Sequence, residues 1–476
     1  MHRLNFNLIA NVTRYRFLLL LLMFQIALFP QAAQAGSDPL STEDYVEPGI
    51  FPRTADPALC DREKINKPLS LSDVVDLTLC NNPQTRSLWA GARAQAANVG
   101  VGMSAYLPTL SAQGNATRNF SGSAGNTAIS NSRSASLTAG YLLFDFGGRS
   151  ATLENAKQLL VAANATRDAA LQANFLAAVQ SYYALLSARA SVDALKVAEA
   201  SARESLAAAD ARYVAGIATP ADKLQAQTAL SQARLNLITA QGNARTAEGA
   251  LANIMGFDAS LPFSLVPLPE STPDPAAEQD IGKLIADARQ QRPDLQAAEA
   301  EIKAAEAQLA ATRATGWPTV SLAATTGTQS VSGSPASNSS SIGVTLSVPL
   351  FTGTRNTYQN RAAEQQIESR VAARDLLANQ VALDVWRAYQ TLLTNSQSLL
   401  AATDLVASAE QSERMTLGRY KAGVANMSIL DVLNAQSTLA GARQQRVAAL
   451  YNFQASRLAL AQAIGQLDLT RLEAGN

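Results

Sequence analysis

From Arg149 to Tyr213 the chain runs for roughly 65 residues without a proline or a glycine, and at ~1.5 Å per residue that is a helix on the order of 100 Å long. Ala, Leu, Gln, Arg and Glu fill the stretch, the residues that lose least on entering a helix. Leu171, Ala178, Leu185, Val192, Leu206 and Tyr213 fall on one seven-residue repeat, broken only by Glu199. A 3.5-residue hydrophobic period makes a seam for left-handed supercoiling, so the rod requires helical neighbours along its length. A second rod supplies one: Val371, Ala378, Val385, Leu392, Leu399, Val406 and Tyr420 repeat the pattern, with Glu413 as the single break.

A duplicated long element in 476 residues argues for one elongated body rather than several globular domains. Apolar residues reach 47%, yet aromatics are only 6%; the balance is largely alanine, which suits close helix packing better than a thick core. The formal charge is zero with both signs interspersed, so no nucleic-acid footprint is expected. Arg3, Arg14 and Arg16 precede the apolar run Phe17 to Phe29 and the small-residue site Ala33-Gln34-Ala35, which predicts a cleaved secretory leader over 1–35 rather than an anchor. The single histidine, His2, lies inside that leader. With no histidine left there is no His-based triad, zinc site or general base, and neither catalysis nor a cofactor is expected. Cys60 and Cys80 form an even count in an exported chain, consistent with one disulfide; the alternative keeps Cys80 as a small buried residue.

Residues 36–67 are polar and proline-containing, read as an extended arm. Short helices over Leu71 to Leu79 and about Thr85 to Ala105 follow. The period then switches to two. Leu110, Ala112, Gly114 and Ala116 alternate with polar residues, as do Ala135, Leu137, Ala139, Tyr141 and Leu143, around a Gly/Ser/Asn loop from Ser121 to Ser132. That is a hairpin over 108–144 with one apolar and one small-polar face, compatible with a soluble sandwich or a membrane barrel. A leader and a very long helix favour the barrel. The long helix over 149–214 stops at Gly216, and a return helix over 220–254 closes a first repeat, 68–255.

A connector over 256–280 leads to a second repeat, 281–465. It holds a hairpin over 318–351 with a loop from Ser330 to Ser340, a long helix over 355–421 and a return helix over 428–464; 466–476 is a tail. Ile342, Val344, Leu346, Val348 and Leu350 alternate on its last strand. Four strands cannot seal themselves in lipid, so copies must share one barrel: two give eight strands, three give twelve. Eight-strand barrels are largely filled by side chains, so an open conduit points to a trimer.

The phrase Arg-Tyr-x-Ala-Gly followed by Ala-Gln-x-x-Leu occurs at Arg212 to Gly216 with Ala226, Gln227 and Leu230, and again at Arg419 to Gly423 with Ala435, Gln436 and Leu439. With the duplicated helix–hairpin–long-helix units it resembles the TolC family of outer-membrane channel proteins over residues 68 to 465. The resemblance implies a homotrimer with a twelve-strand barrel in outer-membrane lipid and a twelve-helix periplasmic tunnel. It also implies docking on a periplasmic adaptor and, through it, an inner-membrane pump of ABC or RND type. Members serve type I protein secretion or small-molecule efflux. The unlipidated start and the segment Tyr141 to Arg149 resemble secretion-type members, such as the one exporting adenylate cyclase toxin. The competing readings are a trimeric surface stalk and, more remotely, a periplasmic enzyme.

Thr219 with Asp222 and Ser428 with Asp431 have capping-box spacing. The resemblance places the same turns at the tunnel's periplasmic mouth, where Asp222 would meet Tyr420, and Asp431 with Asn434 would line the constriction. Gly216 and Gly423 are expected as positive-φ turn glycines. Arg212, Tyr213, Arg419 and Lys421 are the expected adaptor contacts.

Overall fold

The structure is a computed structural model that describes residues 38–51, 62–123, 126–266, 280–424 and 427–467. The expected leader, Cys60, most of the connector and the tail, and residues 425–426 lie outside the described residues. Residues up to Val46 form a small unit of their own. In it a 3₁₀ turn, Thr42–Tyr45, is fastened by the Asp38 carboxylate, which accepts from the Glu43 N–H at 2.8 Å. The rest of the chain is the second unit.

Its first repeat holds α1 (Leu71–Asn81), α2 (Pro83–Ser104), β1 (Thr109–Ser123), β2 (Asn126–Phe144), α3 (Gly148–Val214) and α4 (Pro220–Ile254). The second holds α5 (Ile281–Gln291), α6 (Pro293–Ala314), β3 (Thr319–Val331), β4 (Ser337–Ser347), α7 (Arg355–Lys421) and α8 (Ile429–Ala463). The two long helices are 67 residues each. Each short-helix pair breaks at a proline, Pro83 or Pro293, which cannot donate and starts the next helix instead.

The helices stand as four columns. α3 packs between α2 and α4 on one flank and α6 and α8 on the other, and α7 packs on α6 and α8. Within a column the helices meet end to end. Asn82 Nδ2 donates to the Ile254 carbonyl at 3.1 Å, so α4 is continued by α2. Gly256 (φ +79°) and Gly465 (φ +76°) lie at the two equivalent junctions, where a Cβ would come within 2.7 Å of the Asn81 carbonyl and 3.1 Å of the Arg292 nitrogen. Only glycine accepts both that φ and that approach. α1 and α5 buttress the junctions. Val74, Val75 and Leu79 of α1 bury against Leu171, Phe175, Val179 and Leu185 of α3, and Leu284 and Ala288 of α5 share a core with Val381, Val385 and Phe453.

In α7 the expected seam is buried at Val385, Leu392, Leu399, Val406 and Tyr420, while its first members Val371 and Ala378 are half-buried. In α3 it holds through Leu171, Ala178 and Leu185, then moves to Leu195, Ala202 and Ala209. Tyr213 is exposed instead. The three-residue shift follows the geometry of a straight helix, whose 3.6-residue turn drifts off a seven-residue repeat unless a constant partner enforces it. α3 changes partners along its length, from α6 to α8.

The strands form one antiparallel sheet in the order β1-β2-β3-β4. Its register sorts side chains by face. Leu110, Ala139, Ala324 and Ile342 form one row, and Tyr141, Leu322 and Val344 another. The opposite face carries Ser111, Thr138, Thr325 and Ser341, with the Thr138 and Thr325 hydroxyls 3.2 Å apart. The strands run further than alternation alone predicts. The expected loop Ser121 to Ser132 is strand on both sides of residues 124–125, because the ladder continues through Ser121↔Ala128 and Ser123↔Asn126. β3 and β4 likewise extend into the expected loop from Ser330 to Ser340. β4 stops at Ser347, short of Val348 and Leu350, where Pro349 removes a ladder donor.

Each strand-to-helix bend uses two consecutive left-handed residues, Phe146 (φ 50°) with Gly147 (φ 89°) and Gly353 (φ 63°) with Thr354 (φ 65°). Arg149 fixes the first bend. Its backbone N–H donates to Asp145 at 2.7 Å and its guanidinium donates to the Leu142 carbonyl at 2.7 Å. Within the expected arm, residues 47–51 are fastened to α3. Arg167 donates to the Glu47 carbonyl at 2.8 Å, and Phe51 stacks on Phe175 at 5.8 Å. A 3₁₀ turn, Arg62–Asn66, follows.

Candidate functional site: the helical turns at the far end from the strands

The two α-hairpin turns, α3 to α4 and α7 to α8, lie at the end opposite the sheet. Each long helix ends in the same two bonds. Gly216 N–H donates to the Tyr213 carbonyl at 2.9 Å and Ile217 N–H to Arg212 at 3.0 Å; Gly423 donates to Tyr420 and Val424 to Arg419, both at 3.2 Å. This pairing needs a left-handed residue, and Gly216 (φ 75°) and Gly423 (φ 70°) supply it. Each return helix then starts on a carboxylate. Asp222 accepts from the Thr219 N–H at 2.9 Å, and Asp431 from the Ser428 N–H at 2.9 Å.

Arg212, one of the expected adaptor contacts, is half-buried and reaches across to the second hairpin. Its Nη1 donates to the Tyr420 carbonyl at 2.7 Å and its guanidinium lies 4.5 Å from the Tyr420 ring centre. The physical reason is that the last α7 carbonyls have no i+4 donor; the Tyr420 carbonyl takes only the turn's Gly423 N–H, so its second lone pair can accept from a cation that also favours the negative end of the dipole. Tyr420 itself is buried with Ala209, Ala226, Ile429 and Val432. Burial raises its phenol pKa, the Arg212 cation opposes that, and the Asp222 charge adds to it. Asp222 therefore reaches Tyr420 through its field, while its hydrogen bonds go to Thr219.

Two further links join the hairpins. Lys421 pairs with Glu204 of α3, and Ser205 donates to Gln436 of α8 at 3.0 Å. Gln436 Nε2 also reaches Glu413 at 3.4 Å. The sequence reading missed Glu204, Ser205, Asp210 and Lys223. A signal was present for Ser205: it lies one heptad before Arg212, a polar side chain at a fully buried position. Within the first hairpin Lys223 pairs with Asp210 at 2.6 Å, a hydrogen bond and charge that raise the lysine pKa, and stands over the Tyr213 ring. Asp431, Asn434 and Arg419 are exposed, and Tyr213 is exposed on one side.

Among the described residues no cluster of three or more His, Cys, Asp or Glu could hold a metal, and no helix is long and apolar enough to cross a membrane. Cys80 is disulfide-bonded; Cys60 lies outside the described residues.

The protein is thus a pair of tandem helical hairpins below a four-stranded amphipathic sheet, with a polar-linked tip. A family model described as "Outer membrane efflux protein" matches residues 74–257 and 284–466. The chain belongs to this family, whose members are outer-membrane channels with a periplasmic helical tunnel. It is 31% identical to Protein CyaE of Bordetella pertussis over 97% of both chains. It is 30% identical to Outer membrane protein OprJ of Pseudomonas aeruginosa, covering 81% of this chain and 83% of that one. A crystal structure of a membrane protein from Pseudomonas aeruginosa superposes with a TM-score of 0.73 at 27% identity, covering 83% of this chain and 93% of that one. Channels of this family are trimers, and the outer sheet edges show why copies must join: β1 and β4 are each paired on one side only, and a closed barrel is the way to satisfy them in lipid.

Proposed function

We propose that three copies form the exit duct of a tripartite export machine, serving type I protein secretion through an adaptor and an ABC-type inner-membrane pump. The duct is passive and carries out no catalysis. The observation that carries the duct is the sorting of the sheet into an apolar and a Ser/Thr/Gly face, which a water-filled barrel requires and a stalk does not. The secretion branch is supported by the likeness to Protein CyaE along 97% of both chains and by the segment Tyr141 to Arg149. Small-molecule efflux is the second reading, favoured by the description of the matching family model, "Outer membrane efflux protein".

In this reading the tip is the gate. Arg212–Tyr420, Lys421–Glu204 and Ser205–Gln436 hold the two hairpins of one protomer together, and their separation widens the mouth. Asp431 and Asn434 face the bore, and the exposed Tyr213 and Arg419, with Arg212 and Lys421 beside them, meet the adaptor. Purified trimer in planar bilayers is expected to conduct weakly at rest and strongly once these links are cut. A photo-crosslinker at Arg419 in cells should capture an adaptor whose pump is of ABC type. Capture of an adaptor paired with an RND pump would move the assignment to efflux, and a trimer that never conducts with its links cut would remove the duct.

A further inference from the structure

Charge is almost absent from the four strands. β1 to β4 contain no acidic residue, and their only basic residues are Arg118 and Arg133. The register places both on the same face. Arg118 opposes Asn131 and Arg133 opposes Ala116, so the arginines are diagonal neighbours on the face that carries Leu110, Leu137 and Ile342. Diagonal pairs across antiparallel strands stand about 7–8 Å apart, close enough for both guanidinium groups to reach one group between them.

Their height is equally specific. On β1 the outward residues are Leu110, Ala112, Gly114 and Ala116, and the next is Arg118. On β2 they are Leu143, Tyr141, Ala139, Leu137 and Ala135, and the next is Arg133. Each arginine interrupts the apolar run of its strand, which resumes only with the facing pair Phe120 and Ile129 beyond them. From Leu143 to Arg133 the strand advances ten residues, about 33 Å, which at the usual 35–45° tilt is roughly 25 Å along the membrane normal. That matches the height of an outer-membrane barrel's apolar band. The lower limit of the band is marked by Phe144, Phe146 and Trp317, with ring centres 4.7 and 5.4 Å apart and all three exposed. The helices leave the sheet at that lower end, so the arginines stand at the extracellular boundary of the hydrocarbon. Both are exposed; Arg118 rests 5.3 Å from the Phe120 ring centre, one outward position higher.

We propose that Arg118 and Arg133 form a binding site for the phosphate of a phosphorylated glycolipid in the outer leaflet, one site per protomer and three per trimer. A cation at the edge of lipid attracts the anionic headgroups that lie there, and the sheet has no carboxylate to compete for it. Guanidinium groups match phosphate through paired N–H···O bonds, and two of them present complementary charge where the lipid headgroups lie. This site rests on the barrel standing in the outer membrane, but not on the gate or the cargo.

The test uses the full-length trimer in neutral detergent and native mass spectrometry, with diphosphoryl lipid A as the probe. Wild type should retain up to three lipid A molecules. R118Q and R133Q should each weaken retention roughly tenfold, the scale of one charge-assisted bond lost, and R118K/R133K should keep most of it. Trimer mass and bilayer conductance, read on the same samples, report the barrel separately. Equal retention by wild type and R118Q/R133Q would overturn the site. So would equal binding of dephosphorylated lipid A, or displacement by inorganic phosphate at matched concentration, which would mark a soluble-anion site instead.

Discussion

Arg212 and Tyr420 join the two helical hairpins at the tip through a 2.7 Å bond to the Tyr420 carbonyl and a 4.5 Å stack on its ring. Two residues 208 positions apart thus share one contact, on equivalent turns of the duplicated chain. Arg212→Ala removes both arms of it. We expect about 1–2 kcal/mol lost from the closed tip, hence a several-fold rise in single-channel open probability with little change in thermal midpoint. Arg212→Lys should behave more like Ala than like wild type, since an ammonium cannot reproduce a planar stack. Unchanged conductance in both variants would remove the contact from the gate.

The two faces of the sheet should respond oppositely to the same charge. Val344 lies in the apolar row with Tyr141 and Leu322, and Ser341 in the polar row with Thr138 and Thr325. Val344→Lys should cost ~2–4 kcal/mol and lower the heat stability of the trimer in a gel-shift assay. Ser341→Lys should leave heat stability intact and shift reversal potentials towards anions. A reversed pattern would turn the sheet inside out.

Tyr182 and Tyr183 predict how the protein responds to alkali. Burial pushes both phenols up to about 12, with neighbouring tyrosines adding to the shift of Tyr182. In the unfolded chain they ionise near 10. Between these values the unfolded chain releases protons that the folded chain keeps. Their contribution is therefore fully present below about pH 10 and is lost as pH rises towards 12. The loss should be on the order of 1–2 kcal/mol per ring after allowance for solvent screening, read as a fall in urea midpoint. Tyr182→Phe with Tyr183→Phe should flatten that fall.

Arg167 anchors the segment from Glu47 to Phe51 on α3. It is 1% exposed, pairs with Asp168 at 2.9 Å and lies 4.1 Å from the Trp89 ring centre. A Cβ at Gly49 (φ +68°) would stand 2.6 Å from both Arg167 Nη2 and Asp168 Oδ1. Gly49→Ala should therefore cost about 1–3 kcal/mol, and Arg167→Ala about 3–5 kcal/mol because it strands the Asp168 carboxylate. Limited proteolysis should find the bonds around Phe51 cleaved faster in both variants. Equal cleavage rates would show that the segment is held by other contacts.

Local chemistry decided most of the architecture. Helix lengths follow from where proline and glycine stand: Pro83, Pro220 and Pro293 open helices, and Gly216 and Gly423 close the long ones. These are properties of a residue and its immediate neighbours, so they are legible in one dimension. The alternation in the hairpins likewise fixed which residues share a face. What it left open was where strands end, because a Ser/Gly/Asn segment has no pattern of its own and becomes strand only when a partner ladder extends to it. The same holds for the shift of the α3 seam, which depends on whether α6 or α8 lies alongside. At the tip, the capping carboxylates Asp222 and Asp431 were readable from spacing. The reach of Arg212 across to Tyr420 on the other hairpin was not. Arg212 and Arg419 sit in the same five-residue phrase and are indistinguishable as sequence. Only packing two unequal hairpins side by side brings one arginine to a helix-end carbonyl that can accept a second hydrogen bond and leaves the other exposed.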